Sequence, residues 1–252
     1  MQLDGKSIIV TGGGRGLGRA YCEALAREGA MVVAADIIDT SDTVAAIQSE
    51  GGKVIGMPLD VADMESCQAM ADRALAEFGR IDGLVNNAAL YGNISAGRFD
   101  QLAEDQWDRV MTVNVKGLWR CCKACVPAMR EVGGGAIVNI SSLAGTYGMA
   151  YALDYATSKA AVIGLTRSLA RELGRDWIRV NAVAPSAVLT EGTDEFMGEK
   201  RDKVLQVIAA AQSLKSNLET EDLTGTIIYL TSDASKFVTG QTIMVDGGTV
   251  ML

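Results

Sequence analysis

Short apolar runs rich in β-branched residues recur along the chain, and longer segments with a helical composition separate them. Runs of this kind are typical of buried strands. They predict strands at residues 6–11, 31–35, 53–59, 81–85, 136–140, 177–184 and 241–245. The predicted helices cover residues 17–28, 62–78, 101–130, 155–173 and 221–230, and residues 186–218 are irregular with helical patches.

This alternation predicts an α/β fold in which helices cover both faces of one parallel sheet. The 252 residues show no break in composition, no repeat and no low-complexity segment, so we expect a single domain. The sheet is predicted to be doubly wound, with about seven parallel strands. Ligands of such sheets bind at the carboxyl ends of the strands. Polar or turn residues fall at those ends: Asp36, Asp60, Asn87, Ser142 and Pro185.

The first strand leads directly into a glycine-rich turn and then into a helix. This arrangement places backbone N–H groups around a pyrophosphate at the positive end of the helix. Because the strand and the helix are both present, the turn is a specific signal for dinucleotide binding. The residues concerned are Gly12, Arg15, Gly16, Leu17 and Gly18.

Asp36 follows the second strand, 18 residues after Gly18, and is itself followed by Ile37. A carboxylate at this position binds both ribose hydroxyls of NAD and repels a 2′-phosphate. Arg15 favours the opposite choice, because its guanidinium attracts such a phosphate. We give Asp36 more weight and expect NAD, since direct ribose contact excludes the phosphate, whereas Arg15 can serve the pyrophosphate or face solvent.

The acidic composition without histidine argues against several classes of binding partner and of catalytic mechanism. A net charge of −8 argues against nucleic acid or an anionic membrane as a partner. The absence of histidine excludes Ser-His-Asp and Cys-His catalysis and histidine-ligated zinc.

The cysteines are interpreted as small buried apolar residues, and no metal site is predicted. Cys122 and Cys125 form one C-x-x-C inside a predicted helix, without a second pair. Free thiols fit a reducing cytoplasm. The sequence has no signal peptide and no apolar run of about 20 residues, so we expect a soluble cytoplasmic protein.

Tyr155 and Lys159 lie four residues apart in a predicted helix and so share one face of it. An ammonium beside a phenol favours the phenolate and lowers a pKa that starts near ~10. Such a tyrosine exchanges a proton with an alcohol or carbonyl oxygen. Ser142, at the end of the fifth strand, is placed to hydrogen-bond the same oxygen.

Together these features resemble the short-chain dehydrogenase/reductase family, in its compact form of about 250 residues. The resemblance covers the whole chain and implies a Rossmann-type fold. It is carried by Thr11-Gly12-x-x-x-Gly16-x-Gly18, Asp60, Asn86-Asn87-Ala88, Asn114, Ser142, Tyr155 and Lys159.

The resemblance implies roles for four catalytic residues. Tyr155 is the acid/base, and Ser142 orients the substrate oxygen. Lys159 binds the nicotinamide ribose and lowers the pKa of Tyr155, while Asn114 holds a water that completes a proton relay. Ser141 is the alternative serine, but its spacing to Tyr155 is one residue too long.

The resemblance also implies contacts with each part of the cofactor. It places Leu17 at the pyrophosphate, Asp60 and Val61 at the adenine, Asn87 and Ala88 at the adenosine ribose, and Val188 and Thr190 at the nicotinamide carboxamide. Two positions depart from the family pattern. Ala89 replaces the last glycine of Asn-Asn-Ala-Gly, and Pro185-Ser186 replaces Pro-Gly.

We expect oxidation of a secondary alcohol to a ketone on an apolar substrate, either aromatic, alicyclic or a diol. Residues 186–218, here called the lid, carry apolar side chains among charged ones, which fits a mobile cover over such a substrate and equally fits ordinary packing. The expected substrate-facing residues are Leu90, Tyr91, Leu143, Met149, Tyr151, Phe196 and Met197.

Two alternatives remain at this point. One is an NADPH-dependent reductase of ketones or 3-oxoacyl thioesters, which Arg15 favours and Asp36 opposes. The other is a dinucleotide-binding sensor without turnover, since fold does not determine function. The resemblance further implies a homotetramer, or a homodimer, in which the helices predicted at residues 105–130 and 155–173 pack across subunits.

Overall fold

The computed structural model describes residues 1–251 and contains one seven-stranded sheet, with strand order β3-β2-β1-β4-β5-β6-β7. All neighbouring strands are parallel. The predicted Rossmann-type sheet is confirmed, and its strands lie within two residues of their predicted bounds. They are β1 Ser7–Thr11, β2 Met31–Asp36, β3 Lys53–Pro58, β4 Gly83–Asn86, β5 Gly135–Ile140, β6 Ile178–Pro185 and β7 Thr242–Val245.

Ten α-helices accompany the strands in the described part of the chain. Among residues 1–251, none is long and apolar enough to cross a membrane. The helices are α1 Gly16–Arg27, α2 Ser41–Ser49, α3 Met64–Phe78, α4 Glu104–Met111, α5 Leu118–Glu131, α6 Ala144–Tyr147, α7 Leu153–Leu173, α8 Glu191–Met197, α9 Arg201–Ala211 and α10 Glu221–Thr231.

The helix predicted at residues 101–130 was wrong in two respects. Its helical path begins at Glu104, after a separate 3₁₀ turn at Phe99–Gln101. It is also interrupted by a π-helical turn at Thr112–Gly117, which carries Asn114. Turns of this kind occur mostly as short bulges within helices, frequently at functional sites.

Helix α2 was not predicted, because its sequence offers little helical periodicity. Only Thr43 and Ile47 are buried along it. In the lid, the helical patches resolve into α8 and α9, joined by a 3₁₀ turn at Gly198–Lys200.

Each face of the sheet has its own apolar core. Successive residues of a strand point to opposite faces. Accordingly Ile9 of β1 packs in a cluster with residues of α3 and α5, whereas Val10 packs with residues of α1 and α10. The central strands are therefore buried on both sides, and only their ends are free to form a site.

The first turn of α1 packs against the end of β1 so closely that only glycine fits at residue 18. A Cβ atom there would overlap the carbonyl oxygen of Gly12. Gly12 itself has φ of +70°, a conformation that favours glycine. The glycine turn is thus shaped by contact between strand and helix.

We therefore predict that Gly18→Ala lowers the free energy of unfolding by about 1–3 kcal/mol, as expected for overpacking of a buried site. Gly225→Ala is the matched control, because Gly225 lies in α10 with open space where its Cβ would be. This control should instead gain about 0.5–1 kcal/mol of helix propensity. Urea unfolding at fixed protein concentration measures both, and equal effects of the two substitutions would contradict the assignment.

Candidate active site

A cleft of about 1110 Å³ lies along the carboxyl ends of the strands. Of the site residues predicted from the sequence, all but Asn114, Gly16 and Gly18 line it. Those lining it from the cofactor set are Gly12, Arg15, Leu17, Asp36, Ile37, Asp60, Val61, Asn87, Ala88, Ala89, Tyr155, Lys159, Pro185, Val188 and Thr190. Ser142 and the substrate set of Leu90, Tyr91, Leu143, Met149, Tyr151, Phe196 and Met197 line it as well.

The glycine turn is tied to the end of β4 by Thr11 and Asn87. The Thr11 hydroxyl oxygen accepts hydrogen bonds from the backbone N–H groups of Asn87 and Ala88, each at 3.0 Å. The Asn87 side-chain amide donates to the carbonyls of Thr11 at 3.0 Å and Gly12 at 3.2 Å. Asn87 therefore braces the turn, in addition to lining the cleft.

The Asp36 carboxylate is held at the end of β2 by two backbone groups. Gly14 N–H donates to Oδ2 at 2.8 Å, and Ile38 N–H donates to Oδ1 at 3.2 Å. Each carboxylate oxygen has a further lone pair for another donor. Two adjacent ribose hydroxyls would find two fixed acceptors here, so the residues present fit an adenosine ribose without a 2′-phosphate.

Tyr155 and Lys159 stand on one face of α7, as predicted, and both are nearly buried, with 8% and 3% of their surface exposed. The Lys159 ammonium lies 5.7 Å from the centre of the Tyr155 ring. Its Nζ donates to the carbonyl oxygen of Ile140, the last residue of β5, at 2.8 Å. The end of β5 thus fixes the lysine against the face of the tyrosine.

The pKa shifts of this pair differ from the sequence-based expectation. Burial lowers the pKa of Lys159 to about 8. Burial also raises the pKa of Tyr155 above its ordinary value, the neighbouring Tyr91 raises it further, and a hydrogen bond with Ser142 opposes both. Loss of hydration on burial is therefore the largest influence on the Tyr155 pKa, and it acts against the lowering that was expected from Lys159.

The two adjacent serines at the end of β5 are distinguished by their partners. Ser141 donates its hydroxyl to the carbonyl oxygen of Lys159 at 2.8 Å and is buried. Ser142 accepts a hydrogen bond from Ala144 N–H at 3.1 Å and also bonds Tyr155. The spacing argument for Ser142 thus agrees with the geometry, since Ser141 is occupied by the backbone of α7.

Asn114 lies behind the cleft and is completely buried. Its Oδ1 accepts from Leu90 N–H at 2.7 Å, and its Nδ2 donates to the Leu90 carbonyl at 3.1 Å and to Ser158 Oγ at 3.1 Å. Ser158 in turn donates to the Tyr155 carbonyl at 2.7 Å. The Asn114 side chain therefore holds the Leu90 loop to α7, and the water that the resemblance places at Asn114 stays a prediction.

Sequence reasoning missed Ser158, which connects Asn114 to the tyrosine backbone. A serine one residue before Lys159 offers no periodic or charge signal, so only its contacts reveal this function.

Three aromatic rings form a continuous stack on the substrate side. The Tyr91 ring lies 5.0 Å from that of Tyr155 and 4.8 Å from that of Phe196 in α8, measured between ring centres. Burial raises the pKa of Tyr91, and its hydrogen bond with Thr193 opposes this. The stack joins the lid to the catalytic tyrosine and presents an apolar surface to the cleft.

The two ends of the lid are joined to each other, and its first helix is capped. Val188 and Leu218 form a parallel bridge, and Thr190 Oγ1 caps α8 by accepting from Thr193 N–H at 3.3 Å. Ser186, where the family has glycine, lines the cleft, and its hydroxyl is buried without a hydrogen-bond partner in the described residues. Glu195 of α8 forms an ion pair with Arg15, which the sequence did not indicate.

Comparison with known proteins agrees with this geometry. A family model described as enoyl-(acyl carrier protein) reductase matches residues 12–250. The chain is 38% identical over 253 residues to the 3-oxoacyl-[acyl-carrier-protein] reductase FabG of Thermotoga maritima, covering all of both chains. It is also 38% identical to a Rhizobium meliloti protein named "Probable galactose dehydrogenase GalD", covering 98% of this chain and 96% of that one.

Among solved structures, levodione reductase superposes with a TM-score of 0.90 at 30% identity, covering 97% of each chain. The chain thus belongs to the short-chain dehydrogenase/reductase family and is an oxidoreductase of that family. This family uses a nicotinamide dinucleotide as cofactor, and a small-molecule substrate fits an enzyme of the family.

Burial of Lys159 has a measurable cost. The pKa of Lys159 in the folded protein lies below its value in the unfolded chain. The charged lysine therefore lowers the free energy of unfolding at pH 7. This destabilisation fades between about pH 8 and pH 10.5, as the lysine loses its charge. We expect Lys159→Met to be more stable than the wild type by about 2 kcal/mol at pH 7, with the difference shrinking toward pH 10. Urea midpoints at the two pH values measure it; a methionine variant less stable at pH 7, or a difference independent of pH, would contradict it.

Proposed function

We propose that this protein is an NAD-dependent dehydrogenase that oxidises a secondary alcohol to a ketone. The observation that carries the proposal is that one cleft holds Ser142, Tyr155 and Lys159 near one end and the backbone-held Asp36 carboxylate near the other. The first group suits proton transfer at an oxygen, and the second suits an unphosphorylated ribose.

In this proposal each catalytic residue acts through its own atoms. Ser142 and Tyr155 hydrogen-bond the substrate hydroxyl, and the Tyr155 phenolic oxygen takes its proton as the carbonyl forms. Lys159, fixed by Ile140, supplies positive charge that stabilises the Tyr155 phenolate, which is the base that accepts the proton and thereby becomes a neutral phenol. A bound nicotinamide dinucleotide would supply the acceptor for the hydride that leaves the hydroxyl-bearing carbon. Ser141, Ser158 and Asn114 hold these groups in register from behind.

The aromatic stack supports an apolar substrate, whether aromatic, alicyclic or a diol. Tyr91 and Phe196 offer flat apolar surface beside Tyr155. Met149, Met197 and Leu143 line the same region. These side chains stabilise a ring by burial, while the oxygen to be oxidised is directed toward Ser142.

A ketone or 3-oxoacyl-thioester reductase working with NADPH is the second candidate. Similarity to a 3-oxoacyl-[acyl-carrier-protein] reductase supports it, as does Arg15 in the glycine turn. Asp36 speaks against it, because its carboxylate already has a fixed position at the ribose end of the cleft.

We also infer a cytoplasmic homotetramer. The five cysteines are buried and unpaired, which fits a reducing compartment. Trp119 of α5 is 42% exposed and gives that helix an apolar surface for a neighbouring subunit. Light scattering should report about four times the chain mass of 26.5 kDa, and a mass near that of one chain would exclude the assembly.

Removing the Tyr155 hydroxyl should nearly abolish turnover without weakening the binding of the cofactor. Tyr155→Phe is expected to lower kcat/KM by about 10³-fold on an apolar secondary alcohol, because the acid/base group is lost. Tyr229→Phe in α10 is the matched control and should retain activity. NADH formation and NADH binding are measured together. Turnover of Tyr155→Phe within tenfold of the wild type would refute the assignment.

Cofactor choice is predicted to follow Asp36. The wild type should prefer NAD over NADP by at least about tenfold in kcat/KM, and Asp36→Ala should reduce that ratio because a repulsive charge is removed. Asp60→Ala is the matched control at the neighbouring strand end and should leave the ratio unchanged. A tenfold preference of the wild type for NADP(H) would instead support the reductase reading.

A further inference from the structure

Arg15 is the positively charged residue of the glycine turn, and it is paired with Glu195 of the lid. Its Nη1 lies 2.5 Å from Oε1 of Glu195, and its Nη2 lies 3.0 Å from Oε2. This is a bidentate pair, the geometry in which a guanidinium binds a carboxylate or a phosphate most specifically. Glu195 thus takes the position on Arg15 that an anionic ligand group would need.

The charged groups that influence the pKa of Arg15 are all carboxylates. Glu195, Glu191 and Asp36 all raise the pKa of Arg15, and Arg15 lowers the pKa of Glu195. Arg15 lines the cleft together with Asp36 and Ile37, and Gly14, its neighbour in the chain, donates to the Asp36 carboxylate. A 2′-phosphate entering here meets the Asp36 carboxylate and a guanidinium that is already paired with Glu195.

The position of Glu195 is imposed by its packing. It lies in the last turn of the seven-residue helix α8, whose first turn is capped by Thr190. A Cβ atom at residue 92 would collide with the Glu195 carboxylate, so the Tyr91-Gly92 segment leaves room for this side chain because residue 92 is glycine. Phe196, the next residue, is anchored on the Tyr91 ring.

We propose that Glu195 is a cofactor-specificity residue, which acts by holding Arg15 in an ion pair and so withdraws a cation near Asp36 that could bind a 2′-phosphate. Asp36 repels the phosphate, and Glu195 occupies the Arg15 guanidinium that would otherwise attract it. The lid therefore contributes to the choice between the two dinucleotides, and not only to covering the substrate. This inference rests on the proposed use of NAD.

The test is equilibrium binding of NADH and NADPH to the full chain, followed by nucleotide fluorescence. The proteins are the wild type, Glu195→Gln, the double variant Arg15→Gln/Glu195→Gln, and the control Glu199→Gln, which changes an exposed lid glutamate outside the cleft. A parallel series in an Asp36→Ala background makes NADPH binding strong enough to measure. Thermal unfolding verifies that each variant is folded.

Glu195→Gln should tighten NADPH binding by about fivefold, a modest gain because the released guanidinium is partly exposed, and should change NADH binding by less than about twofold. The gain should diminish with added salt. Adding Arg15→Gln should abolish the gain, and Glu199→Gln should have no effect.

Three outcomes would overturn the proposal: unchanged NADPH binding in Glu195→Gln, an equal change for both nucleotides, or a gain that survives loss of Arg15. An equal weakening for both nucleotides would show that the pair only positions the lid. The wild-type ratio of NADH to NADPH affinity separately tests the proposed cofactor, so failure of that assignment is distinguishable from failure of the ion-pair proposal.

Discussion

Parallel pairing of the central strands is the constraint on which the site depends. Val10 pairs with Val85, Asn86 with Asn139, and Ile140 with Val183, so β1, β4, β5 and β6 all end at the same edge. The glycine turn, the Asn87 brace, the adjacent serines and Pro185 then meet there, although they are far apart in the chain. With both sheet faces filled by separate cores, this edge is where the chain exposes catalytic groups.

The pairing of Lys159 with Tyr155 is obtained at the expense of stability. An ammonium that is nearly buried, with one carbonyl as its hydrogen-bond partner, retains little of its hydration. A methionine of similar shape would pack there without that penalty. In the proposed mechanism this cost has a use, because a cation held against Tyr155 stabilises negative charge on the phenolic oxygen. Stability and chemistry thus make opposite demands on residue 159.

The lid connects the two ends of the cleft through one short helix. On consecutive residues of α8, Glu195 reaches the glycine turn and Phe196 reaches the aromatic stack on Tyr155. Movement of this helix would alter the cofactor end and the substrate end together. The ion pair is exposed to solvent and contributes modestly to stability, so its importance lies in where it directs charge.

The sequence by itself determined the sheet, most of the helices, and the residues that gather at the cleft. These features have local signals that can be recognised in the sequence alone. They are the strand-length apolar runs and the spacing of Ser142, Tyr155 and Lys159. Tertiary structure alone decided the π-helical turn that carries Asn114, whose side chain bonds Leu90 and Ser158, residues distant from it in the chain. It likewise decided the direction of the Tyr155 pKa shift, since burial depends on every neighbour in space. The pairing of Arg15 with Glu195 joins residues 180 positions apart, and no local pattern encodes a contact of that range.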